Sequence, residues 1–273
     1  MPRFETVTGV TINYEEQGEG RPLVLVHGWS TSSLYWRFQR ELAGVCRVIA
    51  LDLRGHGSSS APPCGYGLDD LTNDLVELFI ELDLKDAILA GWSLGSQVVL
   101  NAIPQLPARL SGLILAGSTP RFTVADDWPH GLPTKEPRGM AAGLKRDYNN
   151  TMGRFFRSMF AEGELSREQE NRIAREILIP ARRPAPEAAI ATLDILSTTD
   201  LRSGLHAIEI PTLVIHGSAD TISLPGAARF VADQIPAATL HMIEGVGHAP
   251  FLSIPDMFNE IVMEFIREFY GSD

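Results

Sequence analysis

With 273 residues, 44% of them hydrophobic, and a net charge of −11, the chain can bury the core of one α/β domain with an insertion and needs no division into independent units. The acidic balance argues against a general affinity for nucleic acid or anionic membranes, so neither is expected as a partner. Two cysteines, Cys46 and Cys64, are too few for a disulfide framework and belong to no metal-ligand spacing.

The first twenty residues lack the apolar stretch of a signal peptide, and no later run approaches a membrane span, so a soluble cytoplasmic protein is expected. In chain order, PLVLVHG (22–28) and RVIALDLRG (47–55) read as strands. LDDLTNDLVELFIEL then places Leu68, Leu71, Leu75, Leu78, Phe79 and Leu82 on one helical face. DAILAGW (86–92) and LSGLILAGS (110–118) are again strand-like, as are PTLVIHG (211–217) and ATLHMIEG (238–245). The last periodic stretch, PDMFNEIVMEFIREF, aligns Phe258, Ile261, Val262, Phe265 and Phe269. Short Val-, Ile- and Leu-rich runs alternating with amphipathic helices predict a mostly parallel sheet covered on both faces.

The alternation fails from about 122 to 195. That segment has Pro-rich edges and helix-like stretches but no convincing strand, and is expected to be a helical cap inserted over the carboxyl ends of the sheet. The core is then 1–121 and 196–273. Between Arg138 and Arg183 ten basic residues face six acidic ones, a local excess of +4 in the acidic chain. Such a patch is ordinarily the solvated face of helices.

LAGWSLGSQVVL places Ser93 between Gly91 and Gly95, after a strand and before a helix. Gly-x-Ser-x-Gly recurs by chance, so its context decides. Small residues at 91, 95 and 96 permit the sharp turn that exposes a nucleophilic hydroxyl. A serine nucleophile needs a base, and the base needs an orienting acid. Asp220 follows the strand ending at HG, and His248 sits in a Gly-rich loop after the last strand. Taken singly, an aspartate after Gly-Ser is usually a turn residue and a histidine in a glycine loop usually structural. Together, the order Ser93, Asp220, His248, each at a strand end, is that of the α/β-hydrolase architecture.

The other histidines fit less well: His216 and His241 fall in or beside strands, and His56 comes too early. The turn after His27-Gly28 offers the Trp29 backbone N–H as one oxyanion donor, with the Leu94 N–H as the second. Trp29 and Trp92 read either as core aromatics or as an apolar wall beside an acyl group. Serine rather than a carboxylate at position 93 argues for an ester intermediate, which excludes haloalkane dehalogenase and epoxide hydrolase chemistry. No metal-binding, P-loop or dinucleotide spacing occurs, so no metal and no other cofactor is expected.

The residues outside the cap resemble the α/β hydrolases. LVHGW (25–29), GWSLGS (91–96), STPRFTVADDWP (118–129), LDILSTTDLR (193–202) and GHAPFLSIP (247–255) resemble more narrowly the pimeloyl-acyl-carrier-protein methyl ester esterases of biotin synthesis. That resemblance implies a carboxylesterase removing the methyl group of a carrier-bound pimeloyl ester. Phe155 and Met159 of GRFFRSM would line the acyl channel, and Arg154, Arg167 and Arg172 are candidate contacts for acyl carrier protein, a small acidic partner. Ser96 departs from the glycine common at its position. A broad-specificity carboxylesterase or a C–C bond hydrolase would use the same three residues, and a noncatalytic ligand-binding relative would keep the fold alone. The expected reaction needs neutral His248, so activity should fall below roughly pH 6 to 7.

Overall fold

The computed structural model describes residues 2–270. The six runs read as strands become β3 (Pro22–Val26), β4 (Arg47–Leu51), β5 (Ala87–Trp92), β6 (Leu110–Ala116), β7 (Thr212–Gly217) and β8 (Ala238–Ile243), preceded by β1 (Arg3–Glu5) and β2 (Thr11–Gln17). They form one eight-stranded sheet in the order β1-β2-β4-β3-β5-β6-β7-β8. Strand β2 runs antiparallel to both its neighbours, and every other pairing is parallel. Every residue of β5 and β7 is buried, which is why these runs are continuously apolar rather than alternating.

Several of the apolar runs end in residues that leave the sheet as loops: His27-Gly28, Asp52 to Gly55 and Gly117-Ser118. In the parallel strands these loops gather along one edge, where an open α/β sheet places its ligands. The helices α1 (Leu68–Glu81) and α2 (Leu94–Ala102) pack together, with α2 against β5 and β3.

Between β6 and β7 the chain passes through α3 (Lys135–Arg146), α4 (Tyr148–Ser158), α5 (Arg167–Ile173), a π-helical turn over Ala174–Leu178, and α6 (Pro186–Thr198). Its only β pairings among the described residues are the isolated bridges of Thr123 with Leu132 and Ala125 with Trp128. Helix α6 continues to Thr198, past the boundary at 195 read from the sequence, and residues 271–273 of the core range lie outside the described residues. The chain completes with α7 (Pro225–Gln234) on β7 and β8, the single turn α8 (Pro250–Ser253), and α9 (Pro255–Tyr270). No helix among the described residues is long and apolar enough to cross a membrane.

The stretches entering and leaving the insertion meet at a charged neck. Arg121 and Arg202 both hold Asp200, each at 2.7 Å, and Arg202 also holds Asp127 at 3.0 Å. The Leu201 amide donates to the Pro120 carbonyl at 2.9 Å. The two guanidinium groups keep the Asp200 carboxyl well below the usual carboxylate range. The polar residues of STPRFTVADDWP and TTDLR therefore tie the insertion to the sheet at its neck.

Candidate active site

Ser93 is the junction between β5 and α2, with φ 57° and ψ −119°. A non-glycine residue there is strained, and surrounding structure must hold it. Its amide donates to the Ala116 carbonyl at 3.0 Å. A Cβ at Gly91 would lie 2.6 Å from the Gly95 carbonyl oxygen, and one at Gly95 would lie 2.4 Å from that of Val26. Both glycines are thus required by close backbone approach.

His248 and Asp220 come to the same edge from the loops after β8 and β7. The His248 Nδ1–H donates to Asp220 Oδ2 at 2.7 Å, with both side chains fully buried. Asp220 Oδ1 accepts the backbone N–H groups of Ile222 and Ser223 at 2.8 and 3.0 Å. These donors, with His248 on the other oxygen, fix the rotamer of the carboxylate. With Nδ1 committed, the lone pair of neutral His248 lies on Nε2, a buried atom with no hydrogen-bond partner among the described residues. The ring packs over Gly117, where a Cβ would approach it to 3.1 Å. Gly117 directly follows Ala116, the residue that accepts the Ser93 amide, so the imidazole packs at the end of the strand that anchors Ser93.

The Trp29 and Leu94 amides donate no hydrogen bond among the described residues. The carbonyls of the same two peptide units are both pinned. The Gly28 oxygen accepts from His27 Nδ1 at 2.8 Å and Thr31 Oγ1 at 2.9 Å. The Ser93 oxygen accepts from the Ser96 amide at 2.9 Å and Ser96 Oγ at 2.5 Å. In a planar trans peptide the N–H points opposite to the C=O, so pinning each carbonyl aims the adjoining N–H. His27 is itself fixed, since its Nε2 accepts the Leu53 amide at 3.0 Å.

Ser93 opens into a cavity of about 210 Å³ lined by Trp29, Phe155, Met140, Leu193 and Ile222, with Glu136 as its one charged lining residue. Trp29 and Phe155 meet edge to face at 4.8 Å. Of its two readings Trp92 takes the core one, and Met159 does not line the Ser93 cavity. Trp92 is 1% exposed and does not line this cavity. It lies beneath the base loop, where its Nε1–H donates to the His248 carbonyl at 3.0 Å, because the strand direction at position 92 turns its ring into the core. Met159 is also 1% exposed and acts through its backbone, its carbonyl accepting the His248 amide at 2.7 Å. Arg154, Arg167 and Arg172 are exposed on the insertion. Arg172 lies over the Phe38 ring and 3.6 Å from Glu176, while Arg154 and Arg167 make no ion pair among the described residues.

Two residues that the sequence reading passed over belong to this arrangement. His216 Nε2 donates to the Ser223 carbonyl at 2.7 Å and lies 3.3 Å from Asp220 Oδ2. Burial lowers its pKa against the pull of Asp220, leaving a neutral ring beside the same carboxylate oxygen that His248 holds. Its strand position hid it, although the Gly-Ser turn between residues 216 and 220 was the available signal. Glu164 had no motif at all: its Oε2 accepts the Gly247 amide at 2.8 Å and the Ala161 amide at 2.6 Å. No group of three or more His, Cys, Asp or Glu side chains that could hold a metal ion occurs among the described residues.

A serine at a strained strand-to-helix turn, an acid–histidine pair on neighbouring loops, and two aimed amides at the edge of this sheet define a hydrolase. The model of the α/β hydrolase fold matches residues 21–255, and the chain belongs to that family. It is 36% identical to the pimeloyl-[acyl-carrier protein] methyl ester esterase of Nitrosospira multiformis, over 94% of this chain and 99% of that protein. The identity is also 36% to the protein of the same name from Nitrosomonas europaea, covering 91% and 96% of the two chains. Among solved structures, an esterase from Exiguobacterium antarcticum superposes with a TM-score of 0.90 at 28% identity, covering 97% of this chain and 98% of that one.

Proposed function

We infer that the protein is a serine carboxylesterase that hydrolyses the methyl ester of pimeloyl-acyl-carrier protein. The observation carrying the chemistry is the His248–Asp220 bond at 2.7 Å, which leaves Nε2 as the open nitrogen at the edge where Ser93 sits. His248 takes the Ser93 proton as the hydroxyl attacks the ester carbonyl, and Asp220 stabilises the imidazolium that forms. The Trp29 and Leu94 N–H groups bind the oxyanion. Methanol leaves with the proton from His248, and water repeats the sequence on the acyl-enzyme, regenerating Ser93 and releasing the free acid.

The substrate reading is supported by the relatives at 36% identity over nearly the whole chain. The Ser93 cavity agrees with it. Its apolar lining suits an uncharged methyl ester, whereas the Glu136 carboxylate disfavours a free acid at that end. Exposed Arg154, Arg167 and Arg172 form the surface for the acidic carrier, steering it to the insertion and away from the acidic core. A general carboxylesterase is the second reading, supported by the likeness to the Exiguobacterium esterase.

The test is methanol release from pimeloyl-acyl-carrier-protein methyl ester and from free dimethyl pimelate at equal concentration, for wild type and Ser93→Ala. Release that depends on Ser93 and strongly prefers the carrier-bound ester is expected. Equal or better cleavage of the free ester would replace the carrier reading with the general one.

A further inference from the structure

His216, the buried neighbour of the Asp220 carboxylate, has no part in the chemistry above. It lies in β7, where every residue is buried and an aliphatic side chain would be the ordinary occupant. The chain turns sharply after it. The Asp220 amide donates to the Gly217 carbonyl at 3.2 Å, and a Cβ at Gly217 would meet the Val246 carbonyl oxygen at 2.1 Å. The turn brings Asp220, four positions on, back beside the ring, with both side chains fully buried.

The hydrogen of the neutral ring has one place. Nε2 faces the Ser223 carbonyl at 2.7 Å and Asp220 Oδ2 at 3.3 Å, a carbonyl and a carboxylate that only accept. Nδ1 is buried with no hydrogen-bond partner among the described residues. His216 therefore carries its hydrogen on Nε2, and burial, which lowers its pKa, keeps it neutral. An orphaned ring nitrogen costs stability that an apolar residue would not, so stability alone does not account for a histidine here.

Oδ2 is also the oxygen that accepts from His248 Nδ1, at 2.7 Å. The dipole of the His216 N–H acts on that same atom, in an interior where such interactions are little screened. Oδ1 is occupied by the Ile222 and Ser223 amides, which holds the carboxylate between the two rings. Two further charged groups bear on these three residues: Arg229 of α7, which opposes a charge on His216, and Glu164 of the insertion, at the Gly247 amide.

We propose that His216 is a positioning residue of the hydrolytic site: its uncharged Nε2–H draws on the Asp220 oxygen that holds His248, which moderates the pull of that oxygen on the imidazole proton and extends activity to lower pH. His248 must be uncharged to accept the Ser93 proton, and a carboxylate oxygen acting on it alone would hold it protonated to a higher pH. The proposal rests on the reading of Ser93, Asp220 and His248 as one catalytic set, and holds whether the ester is carrier-bound or free.

The test compares wild type with H216F and H216N, which have no donor at the Nε2 position, and with H216Q, whose amide nitrogen reaches it. Initial rates of dimethyl pimelate hydrolysis should show the acid limb of kcat/KM moved to higher pH by about half a pH unit in H216F and H216N, and unmoved in H216Q. In proton NMR the His248 Nδ1–H, assigned by its loss in H248A, should lie further downfield in H216F and H216N than in wild type or H216Q. An acid limb or a resonance that stays in place in H216F and H216N would overturn the proposal, as would an H216Q that behaves like them. The wild-type ring supplies a reading that depends on no variant: its nitrogen-15 shifts should show a hydrogen on Nε2 and none on Nδ1, and the reverse tautomer, or a charged ring at about pH 6, would overturn the proposal equally. Neither NMR reading uses an ester, so failure of the hydrolase reading appears separately, as absent turnover with the resonances in their expected places.

Discussion

The carboxyl edge of the sheet and the helical insertion above it hold their polar groups in opposite ways. At the sheet edge Asp220 has donors from two amides and from His248, with His216 close by, and the carbonyls behind the Trp29 and Leu94 amides are pinned. On the insertion, Arg154, Arg157, Arg167, Arg182 and Arg183 stand exposed and unpaired among the described residues. The difference matches what each region would have to do under the proposed function. Charge that develops in a transition state is best met by dipoles already fixed in place. A charged partner that arrives and leaves is met by charges that pay little desolvation in the free protein.

Substitutions at the sheet edge should therefore act on turnover, and by far more than substitutions on the insertion. Ser93→Ala should reduce methanol release about 10⁶-fold, the scale on which a serine nucleophile is lost. Asp220→Asn should reduce kcat about 10⁴-fold by favouring the wrong imidazole tautomer, as in the serine protease precedent; a loss of only a few-fold, measured as initial rates, would remove Asp220 from the orienting role.

Stability should follow the same buried edge. Burial lowers the pKa values of His27, His56 and His216, that of His56 to about 3. They stay neutral in the folded chain while the unfolded chain takes up protons below about pH 6.5. Each contributes stability that is complete above that pH and lost as pH falls, for His56 over the window from about 6.5 down to about 3. Urea unfolding between pH 7 and 5 should show a decline approaching about 1.4 kcal/mol per pH unit for each such histidine. A flat profile would contradict neutral burial.

Ser96→Ala removes one of the two donors on the Ser93 carbonyl and should lower kcat about 10-fold with little change in KM, a fraction of the effect of losing an oxyanion donor outright. An equal rise in KM would assign Ser96 to ground-state binding instead. The smallest effect belongs to the insertion surface. Arg154→Ala and Arg167→Ala should each raise KM for the carrier-bound ester by a few-fold, about 0.2 to 1 kcal/mol, at low salt and less at high salt. Salt-independent loss would break the contrast between the two regions.

Much of the sheet edge was legible in the sequence because strand ends announce themselves. Ser93, Asp220 and His248 each follow an apolar run, and strand order puts all three at the carboxyl edge, with Asp220 and His248 in contact. Strands β1 and β2 escaped because β1 has three residues and β2 ends in Glu15, Glu16 and Gln17, too short or too polar to stand out. The direction of Trp92 depends on whether a ring faces the core or the cavity at the end of a fully buried strand, which composition does not encode. Met159 was read through its side chain, while its contact with the base loop is made by a carbonyl that every residue possesses. Glu164 depends on a contact across 83 positions of chain, and local sequence gives no warning of such a pairing.

The backbone pairing of Met159 with His248, reinforced by Glu164 on Gly247, is also a mechanical interlock. The end of α4 and the loop bearing the imidazole are thus fastened to each other, so the seat of the base is built by the insertion as well as by the sheet.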